Sequence, residues 1–152
     1  MILGGGTFIY FYVKFIFQKD FTNKDSERVK IVSNENDFLY LESILDLKLP
    51  LYYKNTLLNY PFAYNSIGSE MLPKNESEIL NLNDKKVVKN IRENGVYCIG
   101  SDAGEEIYFI KPQDRYDQVY VYDIETGNVS IFTSDWAGYL QKIKDIDSLT
   151  DK

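Results

Sequence analysis

The sequence predicts an α+β fold, in which an antiparallel β-meander sheet is covered by about four short helices. Four short runs are rich in Val, Ile, Tyr and Phe, the residues enriched in strands. Gly, Asp, Asn and Pro fill the breaks between them, as in turns. Segments with apolar residues at helical spacing lie before and after these runs. The predicted strands are residues 96–99, 107–110, 119–123 and 129–132.

Four amphipathic segments predict the helices, at about residues 37–45, 50–60, 84–93 and 134–143. Their N-terminal boundaries rest on residues that can cap a helix. The candidate caps are Asn36 or Asp37, the pair Asn83-Asp84, and Thr133 or Ser134. Pro50 suits the first position of the second helix, because its missing N–H costs nothing there, and Pro61 stops that helix.

Composition excludes several functional classes. The 152 residues suit one domain, and the net charge of −6 argues against a nucleic-acid partner, since phosphate binding needs a basic surface. The chain has no His, which removes the usual general base and metal ligand. The single Cys98 excludes an internal disulfide and a thiolate zinc cluster, and it is compatible with a reducing compartment.

The domain boundaries follow from composition. Residues 1–35 form an N-terminal extension, residues 36–145 the domain and residues 146–152 a polar tail. Within the extension, residues 7–17 are nearly all apolar or aromatic, too short for a spanning helix and without the basic start of a secretory signal. Three interpretations stay open for them: an extra strand buried on both faces, a weak membrane or targeting segment, and a mis-assigned start.

Acidic residues and tyrosines along the predicted sheet are the candidate site. A solvated rim, a protein-binding patch and a carboxylate-based catalytic site are the alternatives, and the first two are favoured because nothing else marks a catalytic cleft. Antiparallel strands alternate ends, so these loops need not converge. An exposed Tyr pair beside acidic loops would suit a protein interface. The candidate residues are Asp102, Glu105, Glu106, Asp114, Asp117, Tyr120, Tyr122 and Glu125.

The first loop does not predict a metal site. Residues 102–106 lack the alternating carboxylates and the closing acid of a calcium loop, so Gly100 and Gly104 are interpreted as turn residues with positive φ. The sequence predicts no catalytic residue, no cofactor and no metal ligand.

An ordered set of short motifs resembles the SUKH superfamily, the Smi/Knr-type domain, over about residues 38–143. Leu49-Pro50 followed by Tyr53 is similar to the family's Leu-Pro-x-x-Tyr. Gly100-x-Asp102-x-Gly104 between two apolar strands is similar to its Gly/Ala-x-Asp-x-Gly, and residues 119–125 to its strand ending in Asp-His-Glu. Ile124 stands where that His is common.

The resemblance implies a SUKH-like α+β fold and a non-catalytic binding domain in the cytoplasm. Bacterial members resemble immunity proteins that neutralise a cognate toxin of polymorphic systems by direct contact, and an acidic chain suits a basic toxin such as a nuclease. A regulatory scaffold or adaptor of the same fold is the alternative, and a carboxylate-dependent hydrolase is the least favoured. We expect a protein partner, and neither a nucleic acid nor a membrane.

Overall fold

A computed structural model of the chain describes residues 30–63 and 65–150. It contains one four-stranded sheet in which sequential strands are neighbours and all pairs are antiparallel, as a meander requires. The predicted meander is confirmed, and each strand lies within three residues of its predicted bounds. The strands are β1 (Tyr97–Asp102), β2 (Glu106–Ile110), β3 (Val119–Asp123) and β4 (Val129–Thr133).

Six helices lie in the described part of the chain, and with the sheet they confirm the α+β class. Two more are present than were predicted. The additional helices, at Ile67–Met71 and Glu76–Leu82, have only five and seven residues, which is too short for a repeating pattern of apolar residues to be recognised in the sequence. The helices are α1 (Glu35–Leu45), α2 (Leu51–Leu58), α3 (Ile67–Met71), α4 (Glu76–Leu82), α5 (Lys85–Ile91) and α6 (Trp136–Thr150).

Helix α1 begins earlier than predicted. Asn34, and not Asn36 or Asp37, is its N-cap, and its side chain accepts a hydrogen bond from the N–H of Asp37 at 3.2 Å. Asp37 is the third helical residue, and its carboxylate accepts from the N–H of Asn34 at 3.2 Å. This reciprocal capping box satisfies donors that helix geometry would otherwise leave unpaired.

Two other helix starts also differ by a residue. Pro50 is the N-cap of α2 and not its first helical residue, whereas Asp84 caps α5 as predicted. Asp135 precedes α6 and caps it, because its side chain accepts a hydrogen bond from the N–H of Gly138 at 2.7 Å. Thr133 therefore does not cap this helix; its hydroxyl donates to the carbonyl of Asp135 instead.

The sheet carries apolar residues on both faces, because successive strand residues point to opposite sides. The larger core lies on one face, where Tyr97, Tyr108 and Val119 pack with side chains of five helices, α1 to α4 and α6. The second core lies on the other face, where Cys98 and Phe109 pack with side chains from α5 and the end of α4. Helices therefore cover both faces of the sheet rather than one.

A backbone contact brings α3 against β1. An ideal Cβ placed on Gly100 would lie 1.7 Å from the carbonyl oxygen of Met71. Gly100 is a strand residue and not the positive-φ turn residue that was predicted. The site needs glycine because a neighbouring backbone occupies the space of a side chain.

Helix α6 is longer than the predicted segment and continues to Thr150. Ile146 packs against the larger core, and the carboxylate of Asp147 accepts a hydrogen bond from the N–H of Gly68 at 3.0 Å. Residues 146–150 therefore continue the helix, and Ile146 and Asp147 contact the rest of the domain, whereas Leu149 is exposed. The predictions for residues 7–17 and for the rest of residues 1–29 lie outside the described residues.

Candidate functional site: an acidic end of the sheet

The predicted site residues divide between two ends of the sheet. The β1–β2 turn and the β3–β4 turn lie at the same end, because strands of a meander alternate in direction. Asp102, Glu105, Glu106 and Glu125 lie at this end, with Asp123. These five residues are called the acidic end below. Asp114 and Asp117 lie in the β2–β3 loop at the opposite end.

Three carboxylates of the acidic end form a row across neighbouring strands. Asp102 pairs with Glu106 in the β1–β2 ladder, and Glu106 pairs with Asp123 in the β2–β3 ladder. Directly opposed side chains on adjacent strands have Cβ atoms roughly 5 Å apart, and like charges at that distance repel. The sheet register therefore sets like charges side by side at this end, an arrangement that a nearby positive charge would favour.

A backbone hydrogen bond joins the two turns. The N–H of Ile124 donates to the carbonyl of Glu105 at 3.1 Å, which places the β3–β4 turn beside the β1–β2 turn. The side chains of Glu105 and Glu125 are both exposed next to this contact. The sequence alone left this convergence open, and two of the three acidic loops do meet.

The β1–β2 turn is tight and contains two residues with positive φ. Ala103 has φ 47° and Gly104 has φ 77°, and the N–H of Glu105 donates to the carbonyl of Asp102 at 2.9 Å. Positive φ at both central residues is the signature of a type I′ turn, whose twist matches that of a hairpin. The prediction of positive φ at Gly104 is confirmed.

Two of the five acids are engaged within the fold. Asp123 accepts hydrogen bonds from the N–H groups of Glu125 and Thr126 at 2.9 and 3.1 Å, so it shapes the β3–β4 turn. Glu106 accepts from the hydroxyl of Tyr108 at 3.0 Å. Burial raises the pKa of Tyr108, and the charge of Glu106 and this hydrogen bond raise it further.

A sixth carboxylate, missed in the sequence, lies close to this row. Partial burial raises the pKa of Glu70 in α3, and the charge of Asp102 raises it further. Glu70 lies there because the backbone of Met71 packs on Gly100 and so holds α3 against β1. No local sequence signal could have revealed it, because the contact joins residues about 30 positions apart.

Of the two acids at the opposite end, Asp117 has a structural role. Asp117 accepts a hydrogen bond from the N–H of Trp136 at 3.2 Å and so ties the β2–β3 loop to the start of α6. Burial raises the pKa of Tyr52 to about 12, and the charges of Asp117 and Asp114 contribute. Asp114 itself is exposed.

The two candidate tyrosines do not form an exposed pair. Tyr122 is 3% exposed and belongs to the second core, because α5 and Ile124 cover this part of the sheet. Tyr120 is half-buried; its ring stacks on Phe109 with centroids 5.2 Å apart, and its hydroxyl donates to Gln118. The prediction of a Tyr pair at an interface is therefore wrong for Tyr122.

The described residues offer neither a metal cluster nor a membrane-spanning helix. Within residues 30–63 and 65–150, no group of three or more Cys, Asp or Glu residues is arranged to hold a metal ion, and no helix is long and apolar enough to cross a membrane. No model of a known protein family matches the chain, and no curated protein matches it.

Proposed function

We propose that this chain is a non-catalytic protein-binding domain: an immunity protein of the SUKH type that neutralises a cognate bacterial toxin by direct binding in the cytoplasm. The acidic end is the proposed contact surface. The observation that carries the proposal is the meeting of two hairpin turns, which places five carboxylates at one end of a rigid sheet.

Exposure and charge support a binding role for this end. Asp102, Glu105 and Glu125 are exposed, and the opposed carboxylates of Asp102 and Glu106 repel each other. A basic partner would remove that repulsion, and the chain's net charge of −6 would speed the encounter. A basic toxin such as a nuclease has the matching chemistry.

The arrangement suits a hydrolase less well. A carboxylate pair that transfers protons needs one acid with a raised pKa in a sheltered site. Glu70 beside Asp102 has a raised pKa, but its side chain is exposed and not sheltered. Glu106 is bound to Tyr108 and Asp123 is bound in its turn, while Glu105 and Glu125 face solvent. These engagements favour binding over acid–base catalysis.

The decisive experiment co-expresses this chain with the protein encoded by the neighbouring gene, which the proposal expects to be a toxin. We expect co-expression to restore the growth of cells that produce the toxin. We also expect the two purified proteins to bind each other, as measured by calorimetry. Reversing two exposed charges, Glu105→Lys with Glu125→Lys, should weaken binding by about 100-fold or more, because each reversed contact replaces attraction by repulsion.

A matched control separates a local contact from general charge. The double variant Asp114→Lys with Asp145→Lys changes the net charge equally, from −6 to −2, at exposed positions away from the acidic end. It should retain binding within about threefold, since distant surface charges are screened. Equal loss of binding in both variants would show that the acidic end is not the contact surface.

Two outcomes would contradict the immunity function itself. Failure of the wild-type chain to rescue growth would refute it, and binding to a host regulator instead of a toxin would indicate an adaptor.

A further inference from the structure

The solvent-facing side of α5 is uniformly basic. Four of the eight residues from 85 to 92 are Lys or Arg, and none is Asp or Glu. Val87 and Ile91 are buried in the second core, and positions 85, 89 and 92 form a stripe on the opposite side, since residues three or four apart are neighbours on a helix. The exposed cations of this stripe, called the basic face below, are Lys85, Lys89 and Arg92.

Contacts within the fold do not account for the basic face. Among residues 30–63 and 65–150, no hydrogen bond or ion pair engages the side chain of Lys85 or Lys89. The carboxylate of the nearby Glu93 is paired with Lys111 at 3.2 Å. The helix dipole favours cations in the last turn, but it disfavours Lys85 at the first helical position. The basic face is therefore positive charge that the fold leaves open to solvent.

The acidic end has the opposite charge at a similar spacing. Asp102, Glu106 and Asp123 follow one another across the strands with Cβ atoms roughly 5 Å apart, and the exposed Glu105 and Glu125 lie beside them. Helix residues three or four apart have Cβ atoms about 5–6 Å apart. A row of carboxylates and a stripe of cations with nearly equal steps can form several contacts at once.

We propose that the basic face of α5 is a docking surface for a second copy of this chain and that it binds the acidic end of that copy. A second copy is favoured over a nucleic acid, because phosphates continue along the whole polymer and meet the other acidic surfaces of a chain with net charge −6. A second copy can instead turn only its acidic end toward α5. The inference needs no toxin, so it and the proposed function can fail separately.

Sedimentation equilibrium of the full chain tests the association at two salt concentrations. At about 0.1 M salt the screening length is about 10 Å, so the net charges of two copies hardly repel while charges in contact still attract. We expect the average mass to rise with protein concentration under this condition. At about 1 M salt the screening length falls to about 3 Å, and we expect the chain to be monomeric.

A pair of charge reversals locates the contact. Lys85→Glu with Lys89→Glu should weaken self-association by about tenfold or more, because attraction becomes repulsion at the basic face. Lys48→Glu with Lys144→Glu is the matched control, since both residues are exposed and the net charge changes equally, from −6 to −10. The control should stay within about threefold of the wild type. Circular dichroism checks that both variants are folded.

Mixing two variants tests the pairing of the two surfaces. Lys85→Glu with Lys89→Glu keeps the acidic end, and Glu105→Lys with Glu125→Lys keeps the basic face. Each variant alone should be monomeric at about 0.1 M salt, whereas an equimolar mixture should associate, because the acidic end of one meets the basic face of the other. Their net charges of −10 and −2 have the same sign, so overall charge does not drive this association.

Four outcomes would overturn the proposal. They are a wild-type chain that stays monomeric at all concentrations, an equal loss of association in the control variant, and a mixture that stays monomeric. The fourth is binding of a short DNA duplex that Lys85→Glu with Lys89→Glu abolishes, which would assign the basic face to a nucleic acid.

Discussion

The side chain of Asn83 pairs with the backbone of Cys98 as a neighbouring strand would. Its amide nitrogen donates to the Cys98 carbonyl at 2.9 Å, and its amide oxygen accepts from the Cys98 N–H at 2.7 Å. Both residues are buried, so water does not compete for these groups. One side chain thus joins the α4–α5 connection to the edge of β1.

Replacing Asn83 by alanine should lower the free energy of unfolding by about 2–4 kcal/mol, because it leaves a buried N–H and a buried carbonyl without partners. Urea unfolding followed by circular dichroism measures the change. Asn90→Ala is the matched control: Asn90 is exposed and bonds only within its own helix, so we expect a change within about 0.5 kcal/mol. Equal stabilities for the two variants would show that the Asn83 pair contributes little.

Gly100 should tolerate no side chain. Gly100→Ala places a methyl group against the carbonyl of Met71 and must push α3 from β1, at a cost of about 3 kcal/mol or more. Gly95→Ala is the comparison, because nothing lies within 4 Å of its added Cβ and only its φ of +64° is unfavourable. We expect that variant to lose about 1–2 kcal/mol. A larger loss at Gly95 than at Gly100 in thermal unfolding would contradict the close contact.

The turn of the acidic end can be strengthened without touching its charges. Ala103 is exposed and has φ 47°, a conformation that Asn adopts more readily than Ala. Ala103→Asn should raise the free energy of unfolding by about 0.5–1 kcal/mol, measured by urea unfolding. Ala63→Asn, at another exposed position without positive φ, should give no gain. A loss of stability at position 103 would show that the turn is not of type I′.

Local patterns predicted the strands well, and contacts distant in sequence explain most differences. Alternating residues such as those around Tyr120 mark a strand by themselves, but they do not tell which face is covered. The burial of Tyr122 depends on α5 packing on the second face, a contact about 30 residues away in sequence. Likewise, the sequence around Gly100 does not indicate that the backbone of Met71 occupies the space where a side chain would lie. The observed helix caps differ from the predicted ones by one or two residues, because several neighbouring residues are of a type that can cap a helix.

The capping box of α1 makes folding stability depend on pH in a defined range. The Asp37 carboxylate accepts a hydrogen bond from the N–H of Ser33 at 2.8 Å, and this bond, with that from Asn34, lowers its pKa; Lys30 adds a smaller effect. A lowered pKa in the folded state means that the stabilisation is complete above the unfolded-state pKa of about 3.9. It is lost as the pH falls through the lower pKa of the folded chain.

Asp37→Asn should therefore reduce the free energy of unfolding at pH 7 by about 1 kcal/mol, and the difference from the wild type should shrink as the pH falls below about 4. Urea unfolding at pH values from 7 to 2 measures both. Asp145→Asn, at an exposed position on α6, should change the stability at pH 7 by no more than about 0.5 kcal/mol. A difference for Asp37→Asn that stays constant across this range would show that the carboxylate charge does not stabilise the cap.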